Sequence, residues 1–128
     1  MSERISVLII DDEEYLLEML KDNLNIDGFE VHQTANGREG IDIARRIKPD
    51  VILLDRIMPE MDGMQVLSEL KRDEQTKHIP VFMLTAKTAP SDISQAICEG
   101  AEGYFAKPFE VLKLGRTIRH KLEELAKT

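Results

Sequence analysis

The chain has 128 residues, a formal net charge of −7 and 42% hydrophobic residues. This length and composition fit one globular domain with a single core, spanning residues 1–128, rather than a disordered chain. The acidic balance argues against direct binding to nucleic acid, and no apolar run is long enough to cross a membrane. The segment 1–4 does not begin a signal peptide, and Cys98 has no second cysteine for a disulfide, so we expect a cytoplasmic protein.

Strand and helix patterns alternate through the first half of the chain. Apolar or alternating runs predict strands over 5–10, 29–34 and 51–54. Leucines at helical spacing predict a helix over about 13–26, which Asp27-Gly28 ends. Asn36-Gly37 predicts a turn, and the apolar spacing after it predicts a second helix that closes at Lys48-Pro49.

The same alternation continues in the second half. A helix is predicted over 63–72, a strand over 79–84 with Pro80 at its start, and a short strand over 103–106. Ser91-Asp92 predicts the cap of a fourth helix, on which we expect Cys98 to be packed rather than reactive. A last amphipathic helix is predicted from about residue 110.

Five strand–helix units joined by short connections indicate an α/β fold with a parallel sheet covered by helices on both faces. Right-handed crossovers restrict the topology. We predict a flavodoxin-like, doubly wound (βα)5 sheet with strand order 2-1-3-4-5. Its switch point lies between the first and third strands, where ligands bind in such sheets.

Polar side chains follow the predicted strands at the ends that meet on one edge of the sheet. Asp11 and Asp12 follow the first strand, Asp55 the third, Thr85 the fourth and Lys107 the fifth. Asp55 comes directly after four apolar residues, so its carboxylate requires a partner. Three converging carboxylates repel one another, and a hard divalent cation relieves that repulsion. Oxygen ligands suit Mg²⁺, with Mn²⁺ as an alternative ion.

This set of side chains matches the needs of phosphoryl transfer to a carboxylate. Asp55 is the candidate nucleophile, because a carboxylate can form an aspartyl phosphate. Such transfer depends on positioning and on neutralising charge. The metal, the Lys107 ammonium and the Thr85 hydroxyl would each face one phosphoryl oxygen.

Four segments, in order along the chain, resemble the receiver domains of response regulators. They are Asp11-Asp12, the run from Asp55 to Pro59 with Asp62-Gly63, Leu84-Thr85-Ala86, and the run from Tyr104 to Phe109. The resemblance covers nearly the whole chain from about Arg4. It implies a protein of a two-component signal-transduction system that a histidine kinase or phosphotransfer protein phosphorylates. It also implies a signalling switch that catalyses only its own phosphorylation and dephosphorylation.

The resemblance also assigns roles to individual residues. It implies that Asp55 is the phosphoacceptor, that Asp12, Asp55 and the Ile57 backbone carbonyl bind Mg²⁺ directly, and that Asp11 binds it through water. It implies a cis Lys107-Pro108 peptide. Thr85 and Tyr104 match the family's switch pair, which remodels the surface formed by the fourth helix, fifth strand and fifth helix.

Two positions beside the site, Ile57 and Lys87, lie where the family varies the lifetime of the phosphoryl group. We hypothesise that a bulky Ile57 and a long Lys87 hinder the attacking water, so that the aspartyl phosphate is comparatively long-lived. Arg56 is expected to point away from the site and is given no chemical role. The histidines are interpreted as surface groups: His32, His78 and His120. The basic residues of the last helix are interpreted as a solvated face that could also meet an acidic partner: Lys113, Arg116, Arg119 and Lys121.

Three other functions fit the sequence less well. A flavodoxin needs a phosphate loop after its first strand, where this chain has acids that would repel FMN. A haloacid-dehalogenase-type phosphatase uses an Asp-x-Asp motif, whereas Asp11 and Asp12 are adjacent. A pseudo-receiver would lack the acid pair, Asp55 or Lys107. Within the receiver family the sequence leaves open a stand-alone phosphorelay or motility protein and the receiver of a longer regulator, and a monomer or a phosphorylation-dependent dimer.

Overall fold

The computed structural model describes residues 4–127, and in this range five strands alternate with five helices. The prediction about a signal peptide falls largely on residues 1–3, outside the described range. The elements in chain order are β1 (Ser6–Ile10), α1 (Glu14–Ile26), β2 (Glu30–Thr34), α2 (Gly37–Ile47), β3 (Val51–Leu54), α3 (Gly63–Arg72), β4 (Val81–Thr85), α4 (Pro90–Cys98), β5 (Gly103–Ala106) and α5 (Val111–Ala126).

All strand pairs are parallel, and the strands lie in the order β2-β1-β3-β4-β5. The predicted doubly wound topology is therefore confirmed. Ile10, the last residue of β1, lies opposite both Thr34 and Leu54. This register brings the carboxyl ends of β1, β2 and β3 to the same level, so the loops after β1 and β3 meet at the predicted switch point.

The central strand β3 is buried on both sides. Each of its four residues, Val51 to Leu54, has no exposed surface. Because side chains alternate along a strand, Ile52 and Leu54 pack in the core on one face of the sheet, while Val51 and Leu53 pack in the core on the other. The continuous apolar run before Asp55 is thus the consequence of two covered faces.

Caps and turns set the ends of the helices near the site. The Asn36 side chain accepts a hydrogen bond from the Glu39 N–H at 2.9 Å, so Asn36-Gly37 is a helix start rather than the predicted turn. Asp62 caps α3 in a capping box with Gln65. Lys48 ends α2 in a left-handed conformation with φ 47°, directly before Pro49, which cannot continue the helix.

The start of α4 differs from the prediction. The helix begins at Pro90 after Ala89, and neither Ser91 nor Asp92 is its cap. Proline suits the first helical position because its φ is already helical and its missing N–H would be unpaired there. Ala96 is the buried residue of this helix, whereas Ile97 is 47% exposed. Cys98 is also exposed, so the prediction that it is packed is wrong.

The last helix, α5, buries Leu114 and Ile118 against the second core. Contrary to the prediction, Arg119 is not part of a solvated face. Its guanidinium lies 4.5 Å from the centre of the Phe29 ring and also donates to the Asp27 carbonyl. Among the helices within residues 4–127, none combines the length and the apolar composition needed to cross a bilayer.

Candidate functional site

Two buried aspartates lie at the switch point of the sheet. Asp11 follows β1 and Asp55 follows β3, and both side chains are almost inaccessible to solvent. The Asp55 N–H donates to the Ile10 carbonyl at 3.0 Å, which continues the β1–β3 ladder one step and fixes Asp55 beside the end of β1. Ligand oxygens of Asp11, Asp12 and Asp55 all lie within 4.8 Å of one another. The predicted convergence of these three residues is confirmed.

The Lys107 side chain reaches across the sheet edge into this cluster. Its ammonium lies 2.7 Å from Asp11 Oδ2 and 3.3 Å from Asp55 Oδ2. The Lys107 N–H donates to the Thr85 carbonyl at 3.0 Å, which ties the end of β5 to the end of β4. The Lys107-Pro108 peptide is cis, as the resemblance implied. Lys107 is thus the cation that partly neutralises the buried carboxylates.

Glu13 is a fourth carboxylate at this site, and the sequence analysis missed it. Its Oε1 lies 2.6 Å from the Lys107 ammonium, although its side chain is largely exposed. Its N–H also donates to Asp11 Oδ1 at 3.0 Å. The available signal was its position two residues after Asp11, in the same short connection between β1 and α1.

The electrostatics of the site reflect this crowding. Burial raises the pKa of the Asp11 carboxyl, against the hydrogen bonds that it accepts from Lys107 and from the Glu13 N–H. Burial also opposes the charge on Lys107, but its hydrogen bonds to Asp11 and Glu13 outweigh that effect and hold its pKa above the ordinary value. Lys107 is therefore a permanent cation beside a carboxyl group whose pKa burial raises.

The donor set fits a hard divalent cation. Three carboxylates from two connections supply oxygen ligands on one side without forming a complete cage, and Mg²⁺ keeps several waters in such sites. A cation there would also offset the free-energy cost of burying the Asp11 carboxylate, which Lys107 offsets only in part.

Thr85 and Tyr104 meet at the backbone of Lys87. The buried Thr85 hydroxyl accepts a hydrogen bond from the Lys87 N–H at 3.2 Å. The half-buried Tyr104 donates its hydroxyl hydrogen to the Lys87 carbonyl. One residue of the connection between β4 and α4 therefore contacts both members of the predicted switch pair.

Ile57 and Lys87 lie next to each other at the surface, near the turn that follows Asp55. They line one surface cavity of about 240 Å³, and the Ile57 side chain is 56% exposed. The Ile57 N–H points back into the site and donates to Asp55 Oδ1 at 3.3 Å. The two residues predicted to tune access to Asp55 are thus adjacent in space.

Gly63 allows the loop after β3 to fold back tightly. Its N–H donates to the Arg56 carbonyl at 2.8 Å. A Cβ atom at this position would lie 2.1 Å from the Asp55 carbonyl oxygen and 2.6 Å from Arg56 Cα. Only glycine permits this approach of the α3 N-terminus to the backbone of Asp55.

Arg56 does point away from Asp55, as predicted, but it is not without partners. Its side chain is buried and contacts α4, donating to the Asp92 carbonyl at 3.0 Å and to the Gln95 side chain. Alternation along the strand gave the direction of this side chain correctly. It could not give the partner, because α4 is more than thirty positions further along the chain.

The fold and the site together define a flavodoxin-like α/β domain with an acidic, lysine-bridged centre at its switch point. Residues 7–119 match the family model of the response regulator receiver domain. The chain therefore belongs to the receiver domain family of two-component signal transduction. Proteins of this family are signalling switches rather than classical enzymes, bind Mg²⁺ at an aspartate cluster, and interact with histidine kinases and output partners.

Individual relatives agree with this assignment. The chain is 37% identical over 117 residues to the polar-differentiation response regulator DivK of Brucella anthropi, covering 91% of this chain and 95% of DivK. It is 39% identical over 113 residues to the DNA-binding dual master transcriptional regulator RpaA of Synechocystis, covering 88% of this chain and 47% of RpaA. The chain thus spans about half of the length of RpaA and nearly all of DivK.

Solved structures show the same fold. The chemotaxis protein CheY4 of Vibrio cholerae superimposes with a TM-score of 0.86 at 32% identity, covering 92% of this chain and 98% of CheY4. A CheY-like receiver domain protein of Methanospirillum hungatei superimposes with a TM-score of 0.89 at 26% identity, covering 98% of both chains.

Proposed function

We propose that this domain, taken as a single unit over residues 1–128, is a phosphorylation-activated switch in which Asp55 accepts a phosphoryl group. The observation that carries the proposal is the position of Asp55, buried at the switch point with Lys107 3.3 Å away and two further aspartates beside it. A buried nucleophile with a fixed cation is suited to phosphoryl transfer, in which positioning and charge neutralisation supply most of the catalysis.

The transfer itself is a displacement at phosphorus. An Asp55 carboxylate oxygen forms a bond to the phosphorus atom, and the bond from phosphorus to the donor breaks, with its electron pair leaving on the donor. The donor is the imidazole of a phosphohistidine or a small acyl phosphate. Lys107 stays beside the transferred group, because its hydrogen bond to Asp11 holds the ammonium in place throughout.

Asp12, Asp55 and the Ile57 carbonyl are the proposed direct ligands of Mg²⁺ or Mn²⁺, and Asp11 is the proposed ligand through water. When bound, the ion supplies positive charge to the phosphoryl oxygens. The Asp11 Oδ2 contacts Lys107 and its Oδ1 accepts from the Glu13 N–H, so this one carboxylate would serve both the ammonium and a bound cation.

Thr85 and Tyr104 are proposed to convert phosphorylation into a change of surface. The Thr85 hydroxyl oxygen accepts a hydrogen bond from the Lys87 N–H, and its own hydrogen is available to donate to a phosphoryl oxygen, so a shift of Thr85 towards that oxygen pulls on Lys87. Lys87 then moves with it, and the hydrogen bond from Tyr104 to the Lys87 carbonyl changes as well. The surface formed by α4, β5 and α5 is therefore the proposed output face.

The proposed partners are a histidine kinase or phosphotransfer protein as the donor, and a protein or a fused output domain on the α4–β5–α5 face. Relatives of both kinds occur, since DivK has nearly the length of this chain and RpaA about twice its length. We propose that this domain itself does not contact nucleic acid, in keeping with its charge of −7. Light scattering with and without acetyl phosphate distinguishes a constant monomer from a phosphorylation-dependent dimer.

The direct test is the intact mass of the protein after incubation with acetyl phosphate, with and without Mg²⁺. We expect wild type to gain one phosphoryl group only with Mg²⁺, and Asp55→Asn to gain none. A matched control is Asp50→Asn, which changes an exposed aspartate before β3 and leaves the site intact. Equal uptake by wild type and Asp55→Asn would refute the assignment of the phosphoacceptor.

A further inference from the structure

Arg56 follows the proposed phosphoacceptor directly in the chain, yet its side chain lies under a different element. Arg56 is only 8% exposed, and arginines are rarely this buried unless they are paired. The Gly63 N–H donates to the Arg56 carbonyl, so the Arg56 backbone is part of the tight turn that follows Asp55. The side chain therefore extends from a fixed point beside the site.

The guanidinium makes three polar contacts on α4. Nη1 donates to the Asp92 carbonyl at 3.0 Å, Nη2 donates to the Gln95 side-chain oxygen, and Nη2 lies 3.7 Å from an Asp92 carboxylate oxygen. These partners belong to the first and second turns of α4. Arg56 thus links the turn after β3 to the N-terminal half of α4.

This link uses other hydrogen bonds than Thr85 does, although Lys87 Nζ and Arg56 Nη2 both approach one Asp92 carboxylate oxygen, at 3.9 Å and 3.7 Å. Thr85 bonds to the backbone of Lys87 in the connection before α4, whereas Arg56 holds residues of the helix itself. Arg56 also reaches the neighbourhood of Tyr104: burial raises the pKa of the Tyr104 hydroxyl, and the guanidinium opposes that rise. Two physical connections therefore run from the Asp55 loop and the site to the α4–β5–α5 face.

The chemistry of a buried guanidinium makes this link strong. Leaving a buried charged donor without its acceptors carries a large desolvation penalty. A movement of the Asp55–Ile57 turn must therefore move α4 with it or break these hydrogen bonds. An apolar side chain of similar length would fill the space without imposing this constraint.

We propose that Arg56 is a positioning residue that couples the conformation of the Asp55 loop to α4 through hydrogen bonds that Thr85 does not make. The inference rests on the proposed phosphorylation of Asp55. It predicts that α4 responds to phosphorylation through two parallel connections, and that loss of either one removes part of the response.

The test compares wild type, Arg56→Met, Thr85→Ala and the double variant. Each is examined by hydrogen exchange of the α4 amides, with Mg²⁺ alone and with Mg²⁺ and excess acetyl phosphate. Intact mass is recorded in the same samples. Arg38→Met is the matched control, since Arg38 also joins two elements, through Glu69 of α3, at 2.8 and 2.9 Å, but lies apart from Asp55.

We expect Arg56→Met to take up phosphate at Asp55 while its α4 amides exchange about tenfold faster than wild type, because a buried hydrogen-bonded charge is lost. The change in α4 exchange on phosphorylation should fall by half or more. The double variant should lose the change entirely, and Arg38→Met should retain it.

Two results would overturn the inference. One is an α4 response of wild-type size in phosphorylated Arg56→Met. The other is complete loss of the response in Thr85→Ala alone, which would leave a single connection through Thr85. Absence of phosphate uptake in wild type would instead contradict the proposed function, so the two failures are distinguishable. A purely structural role is ruled out if Arg56→Met keeps the exchange of α1 and α2 unchanged while α4 uncouples.

Discussion

The Lys107 ammonium lies 2.7 Å from Asp11 Oδ2, although 96 positions separate the two residues in the chain. This contact spans the sheet edge from the end of β5 to the end of β1. It holds one permanent positive charge beside carboxylates whose mutual repulsion would otherwise oppose folding. The chemistry that we propose for the site and the stability of its metal-free form therefore both depend on the Lys107 cation.

Replacing Lys107 should impair both properties. Lys107→Met removes the cation from two buried carboxylates, so we expect a lower melting temperature, and phosphorylation by acetyl phosphate slower by about 100-fold or more, as for other electrostatic catalytic groups. Uptake followed by intact mass over time measures the rate. Lys77→Met, which removes an exposed lysine paired with Glu74, is the control and should leave both values near wild type. A normal rate in Lys107→Met would contradict the role assigned to this residue.

The raised pKa of Asp11 predicts how stability responds to pH. Because burial favours the protonated form in the folded state, the ionised carboxylate destabilises the metal-free fold at neutral pH, and that penalty disappears as pH falls through the folded-state pKa towards the unfolded value. Asp11→Asn should therefore melt a few degrees higher than wild type at pH 7 without Mg²⁺. The difference should shrink in acid.

Thermal melts of Asp11→Asn from pH 7 to pH 4, with and without Mg²⁺, check this expectation. The variant should also gain less stability from Mg²⁺ than wild type, since it has lost one proposed ligand. Asp22→Asn, on the exposed face of α1, should behave as wild type throughout. A variant less stable than wild type at pH 7 would show that the hydrogen bonds of Asp11 outweigh its burial.

The side chains around the entrance to Asp55 should set the lifetime of the phosphoryl group. Ile57 and Lys87 line one surface cavity together with Arg56, the residue after Asp55, and both side chains are large. We expect Ile57→Asn combined with Lys87→Ala to shorten the lifetime by about tenfold or more, because a water molecule then gains a favourable line of attack. Decay of phosphorylated protein after removal of acetyl phosphate measures it, and an unchanged decay would refute the hypothesis.

The tight approach at Gly63 should be intolerant of any side chain. In Gly63→Ala, the added methyl group meets the backbone of Asp55 and Arg56, which cannot move aside as a flexible side chain would. We expect a loss of about 1–3 kcal/mol in the free energy of unfolding, measured by urea denaturation. Phosphorylation should also slow, since the turn that positions Asp55 shifts. Ser68→Ala, later in α3, serves as the control for the helix itself.

Most of the fold could be predicted from the chain because its local signals agree with one another. Val51 to Leu54 reads as a doubly buried strand, and the structure gives it those bounds. The bounds of α3 and β5 are likewise as predicted. The predicted start of α4 was wrong because two possible caps, Ser91 and Asp92, directly follow Pro90, where the helix in fact begins. Local propensity does not rank these three residues as starting points.

The candidate site was predictable to the extent that topology determines it. Parallel strands bring their carboxyl ends to one edge, so the convergence of Asp11, Asp12, Asp55 and Lys107 follows from the order of the strands. Exposure is harder to predict. Cys98 and Arg119 were both misplaced, because whether a helix position faces solvent depends on which element packs against it.

The sequence by itself determined the alternation of strands and helices, the parallel sheet and the identity of the residues at its carboxyl edge, since these depend on periodicity and chain connectivity. Only the tertiary structure decided that Glu13 shares Lys107, that Thr85 and Tyr104 meet at the Lys87 backbone, and that Arg56 holds α4. These contacts depend on the directions of side chains between elements far apart in the chain. Distances of a few ångströms between such groups are fixed by packing, and no local pattern encodes them.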